Sequence, residues 1–241
     1  MTPEEWAAFM DARAGLPRQG PGAADDVCWA VDRLQLSGAV DVFDAGCGPG
    51  DDSVTLAEGL PEARIRAVDT AEPFVAQARA RLGRFGDRVR VEQGSMAEPG
   101  GPYDLIWCAG ALYFLGVTEG LRLWREALKP GGYVVFSEPV KLGVLSAEAA
   151  AFWEEYPAIT DLDGIADRVA AAGYRVLDHR MIAGAPWAAY YDPLQARNDQ
   201  LRKTATDPLV LAAAAENQTE IDRWRAAPDE IAYALLIVAP E

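Results

Sequence analysis

Three glycines that follow a short apolar segment constrain the fold of this chain more than any other feature. Residues 40–44 are short, apolar and rich in β-forming side chains, as in a buried parallel strand. Gly46, Gly48 and Gly50 follow at alternate positions, and a helical pattern begins near Asp52. Glycine lets the backbone approach a ligand closely, and a helix N-terminus stabilises negative charge. The pattern predicts a strand-to-helix turn that binds a ligand with an anionic group.

The spacing of these glycines limits which ligand the turn can bind. A dinucleotide-binding turn has the fingerprint G-x-G-x-x-G, but here the third glycine comes one residue early and Asp51 stands where that fingerprint needs glycine. A phosphate-binding loop needs a Lys-Ser/Thr pair after its glycines, and none follows. A dinucleotide is therefore disfavoured, while a turn without a ligand stays open as an alternative.

Strand-like and helix-like segments alternate along the chain. The predicted strands are residues 40–44, 64–69, 88–93, 103–108, 133–137, 174–182 and 231–238. Helical patterns at 73–82 and 121–128 lie between the central strands. Such alternation predicts an α/β fold with a doubly wound, mostly parallel, seven-stranded sheet. Residues 1–36 are predicted to form an N-terminal helical cap, and residues 184–228 a helical insertion before the last strand, as a lid or one wall of a pocket.

Two further segments accompany the glycine turn. Asp69 ends the second strand, where a carboxylate can accept hydrogen bonds from both hydroxyls of a ribose; a helix cap is the alternative. Residues 128–132, Leu-Lys-Pro-Gly-Gly, form a turn before the fifth strand. With residues 44–50, these segments resemble the class I S-adenosylmethionine (SAM)-dependent methyltransferases over roughly residues 38–140. The resemblance implies one methyltransferase domain over residues 1–241, with SAM as cofactor and S-adenosylhomocysteine (SAH) as product.

The resemblance also implies which residues contact the cofactor. The segment after the third strand, which contacts adenine in the family, reads Gly-Ser-Met here, and the end of the fourth strand faces the methionine part of SAM. Residues 18–22 are similar to a segment that covers SAM in a bacterial subgroup of small-molecule methyltransferases; a plain Pro/Gly loop is the alternative. The predicted contacts are Arg18, Gln19, Asp44, Gly46, Cys47, Gly48, Gly50, Asp69, Thr70, Ser95, Met96, Cys108 and Ala109.

Methyl transfer from a sulfonium is an in-line displacement for which the cofactor supplies the reactivity and the protein supplies alignment, so no metal is expected. Glu138 is a candidate general base, and Tyr113 a candidate base or cation–π partner of the sulfonium. Tyr113, Trp187 and Tyr190 are the predicted acceptor contacts, with core packing as the alternative. Further aromatic candidates for the acceptor pocket are Trp153, Tyr156 and Tyr191.

The amino-acid composition limits the kinds of molecule that this protein is expected to bind. The formal net charge of −15, from 37 acidic and 22 basic residues, disfavours nucleic acid and favours neutral or cationic small molecules. The three cysteines lack disulfide or zinc spacing, and no apolar run reaches membrane-spanning length. The N-terminus does not read as a signal peptide, so we expect a cytoplasmic protein, monomeric or homodimeric.

The sequence leaves other functions open. A SAM-fold enzyme with a different outcome, such as decarboxylation or aminopropyl transfer, would need an extra acidic or basic constellation that we do not find. A dinucleotide-dependent oxidoreductase is disfavoured by the glycine spacing, and a non-catalytic SAM-binding module by the complete set of cofactor residues. Neither the acceptor nor the choice among N-, O-, S- and C-methylation follows from the sequence.

Overall fold

The computed structural model describes residues 1–241 and contains one seven-stranded sheet with helices on both faces. The strand order is β3-β2-β1-β4-β5-β7-β6. The first five strands pair in parallel, whereas β7 runs antiparallel to both β5 and β6. The strands are β1 (Asp41–Ala45), β2 (Arg64–Asp69), β3 (Val89–Gln93), β4 (Tyr103–Cys108), β5 (Leu128–Lys141), β6 (Tyr174–Ile182) and β7 (Ile231–Pro240). This arrangement confirms the predicted α/β fold.

Nine α-helices surround the sheet. They are α1 (Pro3–Ala12), α2 (Ala24–Leu34), α3 (Asp51–Gly59), α4 (Glu72–Leu82), α5 (Val117–Trp124), α6 (Ala147–Phe152), α7 (Leu162–Ala171), α8 (Ala185–Thr204) and α9 (Pro208–Ala226). Several begin at capping residues that the sequence supplies: Thr2 forms a capping box with Glu5, and Asp207 caps α9 ahead of Pro208. No helix combines the length and the apolar character that crossing a membrane requires.

The alternation of buried side chains along the strands creates two core layers. On one face, Val42, Leu105 and Val135 pack with α2, α3 and α4, and the aromatic side chains of α8 extend this layer. On the other face, Ile106 and Phe136 pack against α5 and α7. Because both faces of the central strands are covered, most of their residues are apolar, as is typical of parallel sheets.

The helical insertion consists of α8 and α9, which pack against each other, and α1 packs on α9. Residues 184–228 are therefore mostly helical, as predicted. The N-terminal helix and the insertion meet although nearly the whole chain separates them in sequence. This contact brings the two segments without a recognisable motif to the same side of the molecule.

The structure differs from the sequence prediction around residues 121–132. The predicted helix at 121–128 begins earlier, at Val117, and gives way to a short 3₁₀ turn before Leu128. The predicted turn at 129–132 lies inside β5 as a bulge, because Leu128 pairs with Tyr103 while Tyr133 already pairs with Leu105. The short helix α6 was not predicted.

Candidate active site

The candidate site lies at the carboxyl ends of β1, β2 and β4. Strand β1 has β2 on one side and β4 on the other, so the chain winds away from β1 in opposite directions. Ligands of open α/β sheets bind in the crevice that such a reversal creates. The glycine turn, the end of β2 and the segment after β4 all meet there.

The glycine turn has the left-handed backbone that its sequence suggests. Gly46, Gly48 and Gly50 have φ angles of +79°, +52° and +88°. A Cβ atom on Gly46 would lie 2.7 Å from Cβ of Ala111, whereas one on Gly48 would have no protein atom within 4 Å. The backbone N–H groups of Gly46 and Cys47 both donate to the carbonyl of Val68, at 2.9 Å each. The turn is therefore packed against β2 at its start and open at Gly48.

Asp69 closes one side of this opening. Its Oδ2 accepts from the Gly48 N–H at 2.9 Å and its Oδ1 from the Ala71 N–H at 2.9 Å. Burial raises the pKa of the Asp69 carboxyl, and these backbone hydrogen bonds lower it. Thr70 beside it is exposed, and its carbonyl accepts from the Gln93 side chain at 3.0 Å.

Asp44, at the end of β1, has a different environment. Its carboxyl group is buried and accepts a hydrogen bond from the hydroxyl of Ser53 in α3. Burial raises the pKa of Asp44 to about 7, which the bond from Ser53 partly offsets. The structure thus shows Asp44 fastening the helix that follows the glycine turn, and its predicted contact with a cofactor stays a prediction.

The N-terminal strap, residues 15–22, is tied to the start of α3. The Arg18 guanidinium lies 3.4 Å from an Asp51 oxygen and 3.0 Å from an Asp52 oxygen, and its Nε donates to the carbonyl of Gly20 at 2.8 Å. Asp52 also accepts from the indole N–H of Trp107 at 3.0 Å. Arg18 therefore holds the strap over the helix that follows the glycine turn.

Gln19, the second predicted contact of the strap, donates from its amide to the Arg13 carbonyl at 3.3 Å. Its side-chain oxygen is buried without a hydrogen-bond partner. This oxygen is a buried hydrogen-bond acceptor that the protein leaves unsatisfied, and a donor group of a ligand can bind to it.

The other predicted cofactor contacts border the same crevice. Ser95 and Met96 are half-buried, and the Met96 sulfur lies 4.0 Å from a Cβ placed on Gly46. Cys108 is fully buried, and Ala109 is half-buried at the end of β4. Burial raises the pKa of the Cys108 thiol well above its ordinary value, so this residue is a small apolar side chain and not a nucleophile.

Beyond the end of β4, a second group of side chains surrounds Tyr113. Its ring meets that of Tyr156 edge-on, with centroids 5.8 Å apart. The Tyr156 hydroxyl donates to Oε1 of Glu138, a fully buried carboxyl near the end of β5. Arg168 lies 3.6 Å from the same oxygen, and Oε2 of Glu138 has no partner. Burial raises the pKa of Glu138 to about 7 and that of Tyr113 to about 12.

Tyr190, in α8, belongs to a buried polar network. Its hydroxyl accepts from Arg13 at 2.6 Å, and the same guanidinium donates to Asn217 at 2.9 Å and to Glu220 at 2.8 Å. Tyr191 donates to the other oxygen of Glu220 at 2.9 Å. The network joins α1, α8 and α9, so Tyr190 faces polar groups of both the cap and the insertion.

Trp187 packs in an aromatic core and not in a polar setting. It is 1% exposed, its indole N–H donates to the Ile182 carbonyl, and its ring meets that of Tyr233 at 5.1 Å. Its predicted contact with the acceptor stays a prediction, because this packing explains its position without a ligand.

Sequence reasoning missed Arg13, Glu220 and Tyr233. Tyr233 lies in β7, and a Cβ on Gly110 would be 3.9 Å from its ring, which places it at the end of β4. A tyrosine in an otherwise apolar strand and an arginine at the end of an amphipathic helix were the only local signals. Neither signal indicates which residue, more than 100 positions away in the chain, the side chain contacts in the fold.

Comparison with known proteins supports the interpretation of this crevice. Residues 42–132 match the family model described as a methyltransferase domain. They span the glycine turn, Asp69 and the bulge of β5. Over this stretch the chain is similar to a methyltransferase domain.

Individual proteins and solved structures are also similar to this chain. A trans-aconitate 2-methyltransferase of Deinococcus radiodurans is 30% identical over 57% of this chain and 48% of its own length. One of Paracidovorax citrulli is 36% identical over 44% of this chain and 42% of its own length. These matches span less than half of the relatives. A SAM-dependent methyltransferase of Geobacter sulfurreducens, crystallised with SAH, is 21% identical with a TM-score of 0.86 over 98% of both chains, which shows that the whole fold is shared.

Proposed function

We propose that this protein transfers a methyl group from SAM to a small-molecule acceptor without a metal. The observation that carries the proposal is the opening at Gly48, where the backbone leaves room for a ligand and Asp69 presents its carboxylate alongside. The related proteins of known structure and name support a SAM-binding site and a small acceptor.

The residues of the crevice fit SAM. The half-buried Asp69 carboxylate offers acceptor positions for two ribose hydroxyls, and the glycine turn with the start of α3 offers backbone N–H groups to the carboxylate of the methionine part. Ser95 and Met96 border the adenine side, and Ala109 the methionine side. Bound SAM supplies an electrophilic methyl group that leaves SAH behind when it is transferred.

The chain itself orients the acceptor and accepts its proton. Glu138 is the general base in this proposal, because its Oε2 is buried and free of partners, and its Oε1 accepts from Tyr156, whose ring meets that of Tyr113. Tyr156 and Arg168 hold the other oxygen of this carboxyl in place. The ring of Tyr113 is placed to stabilise positive charge near the end of β4.

We propose further that residues 1–241 act as one methyltransferase domain. In this arrangement, the cap of residues 1–36 covers the cofactor through the N-terminal strap, and the insertion of residues 184–228 forms a wall of the acceptor pocket. The ties of Arg18 to α3 and of Arg13 to α8 and α9 support these roles.

Isothermal titration with SAH and with NAD tests the proposal. We expect SAH to bind and NAD not to bind. Asp69→Ala should weaken SAH binding by about tenfold to a hundredfold, because a charged hydrogen-bond acceptor for the ribose is lost. Asp87→Ala, which removes an exposed carboxylate, is the matched control and should leave the affinity unchanged. Tight binding of NAD, or an unaltered affinity of Asp69→Ala for SAH, would refute the proposed site.

A further inference from the structure

Four tyrosines and two carboxylates surround the region next to the end of β4. We call this group the tyrosine chamber; its members are Tyr113, Tyr156, Tyr190, Tyr233, Glu138 and Glu220. Strands β5 and β7, helices α8 and α9 and two connecting segments contribute these residues, some of which are more than 100 positions apart. None of these residues belongs to the glycine turn or to the ribose side of the crevice.

The contacts of the chamber residues form two sets. The rings of Tyr113 and Tyr156 meet edge-on at 5.8 Å, and Tyr156 donates to Glu138. The ring of Tyr233 lies against Gly110, three residues before Tyr113 in the chain. Arg13 joins Tyr190 and Glu220 in the second set. Burial raises the pKa of Tyr113 to about 12, with smaller contributions from Cys108, Glu220 and Glu138.

The positive charges around the chamber are already committed. The Arg13 guanidinium donates to Asn217, Tyr190 and Glu220, and all three bonds are 2.9 Å or shorter. Arg168 lies 3.6 Å from Oε1 of Glu138 and also donates to the Ala158 carbonyl. The atom left without a partner is an acceptor, Oε2 of the fully buried Glu138.

An anionic acceptor would meet the unpartnered Oε2 of Glu138 here and no uncommitted cation, which is costly in a buried site. Glu220 is already paired with Arg13. A cationic acceptor would meet aromatic faces and a carboxylate oxygen that lacks a partner. Aromatic rings attract desolvated cations, most strongly when several rings share one. The charge balance of the chamber therefore selects against acids and in favour of bases.

We infer that the methyl acceptor is an amine, which enters the tyrosine chamber as its ammonium ion and is held there by the tyrosine rings and Glu138. This inference rests on the proposed function and specifies its substrate class. The ammonium gives one proton to Oε2 of Glu138, and the freed lone pair forms the new N–C bond as the S–C bond of the cofactor breaks. The electron pair of that bond stays on sulfur, so SAH and an N-methylated ammonium leave.

Three probes of nearly equal shape test the charge preference without turnover. They are tetramethylammonium, tert-butanol and pivalate, which are cationic, neutral and anionic. Each is titrated into the SAH-saturated protein at about pH 8, roughly one unit above the pKa of Glu138, where its carboxyl is ionised. Tryptophan fluorescence reports binding, since Trp153 and Trp187 border Tyr233. We expect tetramethylammonium to bind at least about tenfold more tightly than pivalate.

Three variants test whether the cation binds in the chamber. Tyr113→Phe keeps the ring and should keep the affinity for tetramethylammonium within about threefold, whereas Tyr113→Leu should lose about tenfold. Glu138→Gln keeps the size of the side chain. It should weaken the binding of tetramethylammonium by about tenfold and leave the binding of tert-butanol unchanged. Thermal unfolding of each variant checks that the fold is retained.

The outcomes separate this inference from the proposed function. Equal affinities, a preference for pivalate, or no binding of any probe to the SAH-saturated protein would overturn the amine class while leaving the cofactor site intact. Cation binding that is unchanged in both Tyr113→Leu and Glu138→Gln would place it on the acidic surface and also overturn the inference. Failure of SAH itself to bind would instead refute the proposed function.

Discussion

Gly46 and Gly48 share a left-handed backbone but differ in what a side chain would meet. We predict that Gly46→Ala lowers both stability and SAH affinity, because its Cβ would lie 2.7 Å from Cβ of Ala111 and the turn must move. Gly48→Ala has space for its methyl group and should cost only the backbone strain, about 1–2 kcal/mol. Its methyl group, however, projects into the proposed ligand groove.

Thermal unfolding and SAH titration of both variants check this prediction. Gly48→Ala should lose affinity out of proportion to its loss of stability. If Gly48→Ala bound SAH as tightly as the unmodified protein, the groove at Gly48 would not be the cofactor site.

The buried carboxyl of Asp44 predicts a dependence of stability on pH. Its pKa is raised from an ordinary value of 3.8 to about 7, so the folded protein holds a proton that the unfolded chain releases between these values. The contribution of the protonated carboxyl to stability is therefore complete below about pH 4 and is lost as the pH rises through 7.

Asp44→Asn isolates this effect, because the amide stays neutral and can still accept from Ser53. Between about pH 5 and 7, the free energy of unfolding of the variant should rise relative to that of the unmodified protein, by up to about 1.4 kcal/mol for each pH unit. Urea unfolding at several pH values measures the difference. A constant difference across this range would show that Asp44 does not titrate there.

At the residue scale, the sequence predicts the left-handed glycine turn but not the long-range contacts of α1. Gly46, Gly48 and Asp69 lie within 24 positions and are set by local turns, so their spacing carries the information. Arg13 and Glu220 are 207 positions apart and meet only because α1 packs on α9. No local pattern records that contact.

Among the elements, the strands of the central sheet follow closely from their apolar patterns. Strands β2, β4 and β6 have the predicted bounds, because each is flanked by turn residues and has a continuous or alternating apolar pattern. The prediction failed at β5, where Gly131 and Gly132 suggested a turn. Pairing of Leu128 with Tyr103 extends the strand through them, and Gly131, at φ +80°, absorbs the bulge.

Helix α1 depends on Arg13 for its attachment to the insertion. We predict that Arg13→Ala lowers the free energy of unfolding by about 2 kcal/mol, less than for a fully buried ion pair because the Glu220 side chain is 37% exposed. Arg13→Lys keeps the charge but not the three hydrogen bonds. Its free energy of unfolding should therefore lie between those of the unmodified protein and of Arg13→Ala.

Limited proteolysis separates a local effect from a global one. In Arg13→Ala, cleavage should first appear in residues 1–22, while SAH still protects the central sheet. Uniform cleavage along the chain would show instead that Arg13 supports the whole core.

The whole molecule carries an excess of negative charge that its fold must tolerate. With a formal net charge of −15, mutual repulsion opposes the compact state, and added salt screens it. We predict that NaCl raised from about 0.01 M to about 0.1 M, which shortens the Debye length from roughly 30 Å to roughly 10 Å, raises Tm. The expected gain is about 2–4 °C, equivalent to about 1 kcal/mol.

Differential scanning calorimetry at the two salt concentrations measures this change. A lower Tm at higher salt would mean that the surface ion pairs contribute more than the net charge costs. The acidic composition indicates the charge of the whole molecule and favours neutral or cationic partners, but it does not indicate which residues would bind them.

The network around Arg13 has a consequence for the order in which the molecule is made. Asn217 and Glu220 leave the ribosome more than 200 residues after Arg13. Until then, α1 has no partner for its guanidinium, and Tyr233 has not yet joined the sheet. The first and the last parts of the chain thus meet only when synthesis is nearly complete, so a nascent chain can form its glycine turn long before the tyrosine chamber is assembled.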